Sequence, residues 1–175
     1  MIEKYSDNNC TQNKNDTLKL KLILASGSKQ RQDIFKNIGL KYEVIKSVVE
    51  EKSDSTEPSE YVKDLSKDKA KSVASQINEK AIIIAADSII YMNGKIYEKP
   101  KSKEEAYQNL KEMSGKVTYA VTGVTIKDLY KNKEICFADI AEVHLKEIDD
   151  EDIKWYVENE KDIFNRCAYA ILGKA

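Results

Sequence analysis

Asp87 follows six apolar residues, AIIIAA at 81–86. A carboxylate at the carboxyl end of a buried strand sits where open α/β sheets place their ligands, and there it can bind a metal or polarise water. The same position also reads as a turn-forming Asp. Glu50 and Glu51 close another apolar-rich segment. Alternation lets only one of them point with the apolar side chains, so the pair is either the source of a single metal ligand or part of a solvated loop. Upstream lies Ser26-Gly27-Ser28-Lys29-Gln30-Arg31. At a strand-to-helix turn, free backbone N–H groups, the Ser28 hydroxyl and the Arg31 guanidinium one helical turn along can hold a phosphate. An ordinary helix cap with an exposed Arg fits the same residues. Lys69, in KDKAKS, and Lys99, before Pro100, are compact charges suited either to a phosphate or to plain solvation.

Other chemistries find no support. The spacing GxxxxGK[ST] is absent, and so is GxGxxG. His144 is the single histidine, which leaves a His-based metal site or catalytic triad without its parts. Cys10, Cys136 and Cys167 are odd in number, widely spaced and free of any CxxC, against both a disulfide framework and a zinc knuckle and in keeping with a reducing cytoplasm. Cys136 reads as a small buried hydrophobe.

The elements that must position these residues follow from periodicity. Residues 18–25 (LKLKLILA) alternate and then turn wholly apolar, as a strand entering a sheet does. Ser28 caps a helix toward Ile38 that places Ile34, Phe35 and Ile38 on one face, with Gly39 as its left-handed stop. Residues 42–49 predict a second strand, and residues 59–78 a long helix burying Val62, Leu65, Val73 and Ile77. A central strand over 81–86 ends at Asp87. Strands at 89–92 and 95–97 flank Asn93-Gly94, a strong hairpin signal. Ser102 with Glu105 makes a capping box for a helix ending before Gly115. Residues 117–127 and 134–145 predict an antiparallel pair, and Asp149 or Asp150 opens a helix in which Trp155 and Tyr156 form a packing face. Strand-to-helix turns early and hairpins late give an α/β or α+β domain with a mixed sheet.

The chain has 175 residues, 41% hydrophobic and 34% charged, enough for one domain with a real core and a well-solvated surface. Residues 1–17 read as a polar flexible tail and 18–175 as the domain. Its formal charge of −1 predicts no global attraction to nucleic acid or an anionic membrane. No apolar run approaches the roughly 18 residues of a membrane helix, and the first 17 lack a signal-peptide core.

Taken in order, the segments LILASGSKQRQDIFKNIGLKYEVIKSVVEE, YVKDLSKDKAKSVA, IIAADSIIYMNGKIYEKPKSKEEAYQNLKEMSGKVTYAVTGVTI and DIKWYVENE…CAYAILGKA resemble the Maf-like family of nucleoside triphosphate pyrophosphatases. The likeness runs from about Leu22 to the last residue. It implies a Maf/inosine triphosphatase-like fold, an elongated mixed sheet with helices flanking a cleft between two lobes. It also implies hydrolysis of a nucleoside triphosphate, dTTP/UTP or a modified nucleotide, to monophosphate and pyrophosphate with Mg²⁺ or Mn²⁺. That is a house-cleaning role in the cytoplasm, linked in the family to septum formation, and it allows a homodimer. A nucleotide-binding regulator of cell division with little catalysis is the alternative.

Carried over by motif, Asp87 is the catalytic carboxylate and, with Glu51, the metal ligand, while Ser28, Arg31, Lys69 and Lys99 bind the phosphates. Four departures stand out. Lys29-Gln30 replaces the family's usual Pro-Arg, Ser88 its Thr after the catalytic Asp, and Leu172 its Gln. The last of these touches base preference. The family also continues for a strand and a helix beyond the point matching Ala175, so the sequence reads as lacking that end, with an exposed edge around 169–172.

Overall fold

A computed structural model of the protein describes residues 20–165 and Cys167. In chain order the elements are β1 (Lys21–Leu24), α1 (Lys29–Asn37), β2 (Glu43–Val44), α2 (Pro58–Ala74), β3 (Ala81–Met92), β4 (Lys95–Tyr97), α3 (Lys103–Met113), β5 (Val117–Asp128), β6 (Lys133–His144), α4 (Asp150–Asn159) and a 3₁₀ turn (Ile163–Asn165). Six strands make one mixed sheet in the order β2-β1-β3-β5-β6, with β4 paired to β3. β1 runs parallel to β2 and β3, and the hairpin partners run antiparallel. The fold is therefore the mixed α/β arrangement that the early crossovers and late hairpins predict.

Alternation along β3 divides the core. Ala81, Ile83, Ala85 and Ile89 face α2 and pack with its Val62, Ala70 and Val73. Ile90 and Met92 pack instead with Tyr97 of β4 and Met113 of α3, and Leu110 of α3 packs on Ile153 and Val157 of α4. Helices thus flank the sheet on both faces. Contact between α2 and β5 is backbone-close. A Cβ on Gly123 would lie 2.3 Å from the carbonyl oxygen of Val62, so only glycine lets the helix settle there.

β3 departs from expectation in running through Asp87 to Met92 as one strand. β5 pairs with it from Ile82 opposite Asp128 to Tyr91 opposite Tyr119, supplying hydrogen bonds for the whole length, and Asp87 lies opposite Gly123. Asp87 is thus a mid-strand residue. The second strand, in contrast, shrinks to Glu43–Val44, because β1 ends at Leu24 and offers no backbone beyond the Ile45 N–H bond to the Leu24 carbonyl. The long helix ends at Ala74, short of residue 78, after a start capped by Glu57.

Ser28, Ser102 and Asp149 cap their helices as predicted. The capping-box Glu105 carboxylate, however, takes the N–H of Lys101, one residue before the cap. The expected apolar face of α1 is not buried: Ile34 and Ile38 are 56% and 64% exposed. Trp155 is likewise exposed, while half-buried Tyr156 packs beside Val157 and Ile153, which form the buried face of α4. Cys136 is half-buried and within bonding distance of the Ser66 and Thr125 hydroxyls, and His144 is exposed beside Glu142. The tail at 1–17, the edge at 169–172 and Leu172 lie outside the described residues. Among those described, no helix is long and apolar enough to cross a membrane.

Candidate active site

The site grows from an interruption in the sheet. On one side of β3 the ladder with β5 is unbroken. On the other, β1 pairs only as far as Ile84 and β4 only from Ile90. Residues 85–89 border a gap there among the described residues. Backbone groups in a strand need partners wherever they are buried. The Ile84 carbonyl takes the Ala25 N–H at 2.8 Å, and beyond it side chains replace a strand. Arg31 Nη1 donates to the Ala86 carbonyl at 2.8 Å, and the Cys167 thiol to the Ser88 carbonyl at 3.0 Å.

From the α2 face, Lys69 reaches this gap. It occupies the buried stripe of α2 with Val62, Leu65 and Val73, and is only 6% exposed. Its ammonium donates to Asp87 Oδ1 and sits 2.7 Å from Glu51 Oε1. Asp87 itself is 5% exposed. Lys99 Nζ approaches Glu51 Oε2 at 3.7 Å. Glu51, Lys69, Asp87 and Lys99 are thus brought together from a loop, a helix, a strand and a second loop. Burial pushes the Glu51 carboxyl up, but Lys69 first and Lys99 next outweigh it and hold the group below its ordinary value. Glu50 turns away to Lys52, so of the acidic pair it is Glu51 that faces Lys69 and Lys99.

Arg31 enters from α1. Nη1 also lies 3.3 Å from Ser26 Oγ, and Nη2 donates to Ser88 Oγ at 3.0 Å, which in turn lies 2.9 Å from Thr122 Oγ1. Burial lowers its pKa from the ordinary value, and the charges of Asp87 and Glu51 work against that fall. Ser28 caps α1 by accepting the Arg31 backbone N–H at 3.5 Å, and its own N–H donates to Ser26 Oγ at 3.2 Å. Its hydroxyl therefore begins its work as a cap.

Several neighbours escape sequence reasoning. Tyr61 donates to Glu98 at 2.6 Å; its pKa is raised by burial first, then by Glu98, Asp87 and Glu51, which places this pair in the same electrostatic field. Burial pushes the Cys167 thiol up to about 11, so near neutrality it stays an S–H donor on Ser88. Alternation could have put Ser88 on the face opposite Asp87. Nothing local ties Cys167 to a residue 79 positions away.

Two carboxylates that converge on one ammonium are a centre already built around a cation. Their donors are hard oxygens, which suit Mg²⁺ or Mn²⁺ over thiophilic metals. Among the described residues no cluster of three or more His, Cys, Asp or Glu could hold a metal. A site of one or two carboxylates is how Mg²⁺ is held when substrate phosphates supply the other ligands.

A mixed sheet opened beside a buried Asp, with lysines on one flank and an arginine on the other, is an arrangement suited to anionic phosphorylated ligands. The family model for Maf-like protein matches residues 21–175, and the chain belongs to that family. It is 40% identical over 154 residues to the dTTP/UTP pyrophosphatase of Thermoanaerobacter sp. (strain X514), covering 88% of this chain and 81% of that one. The dTTP/UTP pyrophosphatases of Fusobacterium nucleatum subsp. nucleatum and Carboxydothermus hydrogenoformans are each 38% identical, over 87% and 89% of this chain and 79% and 83% of theirs. A HAM1 protein from Coxiella burnetii overlaps 71% of this chain and 72% of its own at 13% identity and a TM-score of 0.43, too loosely to bear on the site.

Proposed function

We propose that this chain is a nucleoside triphosphate pyrophosphatase that hydrolyses dTTP and UTP to the monophosphate and pyrophosphate. The convergence of Glu51, Lys69 and Asp87 in the sheet gap, with Arg31 across it, carries this reading. Family membership and the names of the relatives support it. The near-neutral balance of charge favours a single nucleotide over a nucleic-acid polymer, and three widely spaced cysteines without a CxxC favour the cytoplasm.

Hydrolysis forms a bond from a water oxygen to the α-phosphorus and breaks the bond from that phosphorus to the oxygen bridging to the β-phosphorus. The electron pair leaves with pyrophosphate, and the water proton needs an acceptor. Asp87 is that acceptor. Lys69 occupies Oδ1, which leaves Oδ2 to receive the proton. Lys69 keeps a third hydrogen for a phosphate oxygen, and Lys99 and Arg31 offset charge on the β- and γ-phosphates. Glu51 and Asp87 would hold Mg²⁺ or Mn²⁺, which when bound offsets negative charge on the phosphates. The low Glu51 pKa keeps that carboxylate ionised for the purpose.

Pyrophosphate release from a panel of triphosphates, with Mg²⁺ and with Mn²⁺, tests the proposal. The expected outcome is metal-dependent release with dTTP and UTP as the preferred substrates. Nucleotide binding without release from any of them would contradict it.

A further inference from the structure

Arg31 is half-buried and makes no ion pair: among the described residues its guanidinium meets only neutral oxygens. A guanidinium has five N–H donors in a rigid plane. Three are committed, two on Nη1 to Ala86 O and Ser26 Oγ and one on Nη2 to Ser88 Oγ. Nε–H and Nη2 share one edge of the guanidinium plane, and such an edge makes the fork that matches two oxygens of a phosphoryl group. Nη2 is the atom shared between protein and ligand, so whatever holds it sets where the fork points. Ser88 holds it, and the Ser88 hydroxyl is braced from behind by Thr122 on the neighbouring strand.

We infer that Ser88, braced by Thr122, is a positioning residue that aims the Nε–Nη2 edge of Arg31 at the phosphates of the nucleotide. The inference rests on the reading of Arg31 as a phosphate ligand. Ala86 cannot be deprived of its carbonyl by substitution, and Ser26 sits at a long 3.3 Å, so Ser88 is the adjustable part of the clamp. With the hydroxyl gone, the guanidinium keeps its charge and loses one constraint on its plane. The cost then falls on phosphate recognition, and the proton transfer at Asp87 is spared.

Kinetics of pyrophosphate release from dTTP, together with inhibition by added pyrophosphate, test this in a double-mutant cycle. Ser88→Ala is expected to raise KM and the pyrophosphate inhibition constant together by about tenfold, the worth of one hydrogen bond to a charged group, while kcat changes much less. Ser88→Thr, which restores the oxygen, is expected to recover both. Thr122→Val should shift them in the same direction by less, and should add nothing to Ser88→Ala. In an Arg31→Lys background, Ser88→Ala should add less than about twofold. Unchanged constants in Ser88→Ala beside a crippled Arg31→Lys would overturn this inference alone, as would fully multiplicative effects of the two substitutions in proteins of equal melting temperature. Wild-type kinetics in Arg31→Lys would overturn the phosphate role of Arg31 as well.

Discussion

Lys69 commits two of its three ammonium hydrogens to Asp87 and Glu51, and that makes it a structural as well as a chemical residue. Lys69→Met leaves Asp87 buried without its partner, and breaking such a pair costs on the order of 3 kcal/mol. The variant is expected to melt well below the wild type, and Mn²⁺ to raise its melting temperature more than the wild type's, since Glu51 and Asp87 without the ammonium would have more carboxylate charge left for a cation to offset. Equal shifts in both proteins would contradict that. Lys69 is also where the sequence was half legible. Its spacing from Val62, Leu65 and Val73 puts it in the buried stripe of α2, although a lysine in KDKAKS is most easily taken for a solvated one. Glu51 was legible only as one of a pair, because which neighbour turns inward is decided by Lys69 and Lys99 across the gap.

Helix caps and hairpins are set by neighbours in the chain, which is why Ser28, Ser102, Asp149 and Asn93-Gly94 could be placed from the sequence. The continuity of β3 could not, because it depends on β5, whose Gly123 faces Asp87 from a distant segment. Gly123→Ala drives a Cβ into the Val62 carbonyl, and a displacement of α2 is expected to cost about 1–3 kcal/mol. Urea unfolding measures this loss, and turnover should fall with it because α2 carries Lys69. At the other end, Tyr107 and then Lys111 and Lys154 hold Asp150 well below its ordinary pKa, tying α4 to α3. A depressed carboxylate contributes stability above its unfolded pKa of about 3.9 and loses it as pH falls toward the folded value. Asp150→Asn should therefore melt below the wild type at pH 6, with the difference narrowing progressively below about pH 4. A pH-independent difference would exclude the ionised contact as its source.

At the scale of the whole molecule, the candidate site lies where the sheet is, among the described residues, interrupted beside 85–89. β1 and β4 both stop short of these residues, and that edge brings α1, α2, β3 and the loop at Lys99 to one point. Side chains alternate across β3, so Asp87 meets Lys69 on one face while Ser88 accepts from Arg31 Nη2 on the other. In the proposed reaction Asp87 takes the proton of the attacking water, and this step carries the rest. It is tested most directly by single-turnover pyrophosphate release from dTTP by wild type and Asp87→Asn, with nucleotide binding measured in parallel. Asn keeps the shape and removes the base, and Lys69 keeps Glu51 as its partner. Release is expected to slow by at least about a hundredfold with nucleotide affinity largely retained through Arg31, Lys69 and Lys99. Release at the wild-type rate from a folded Asp87→Asn protein would contradict this role of Asp87.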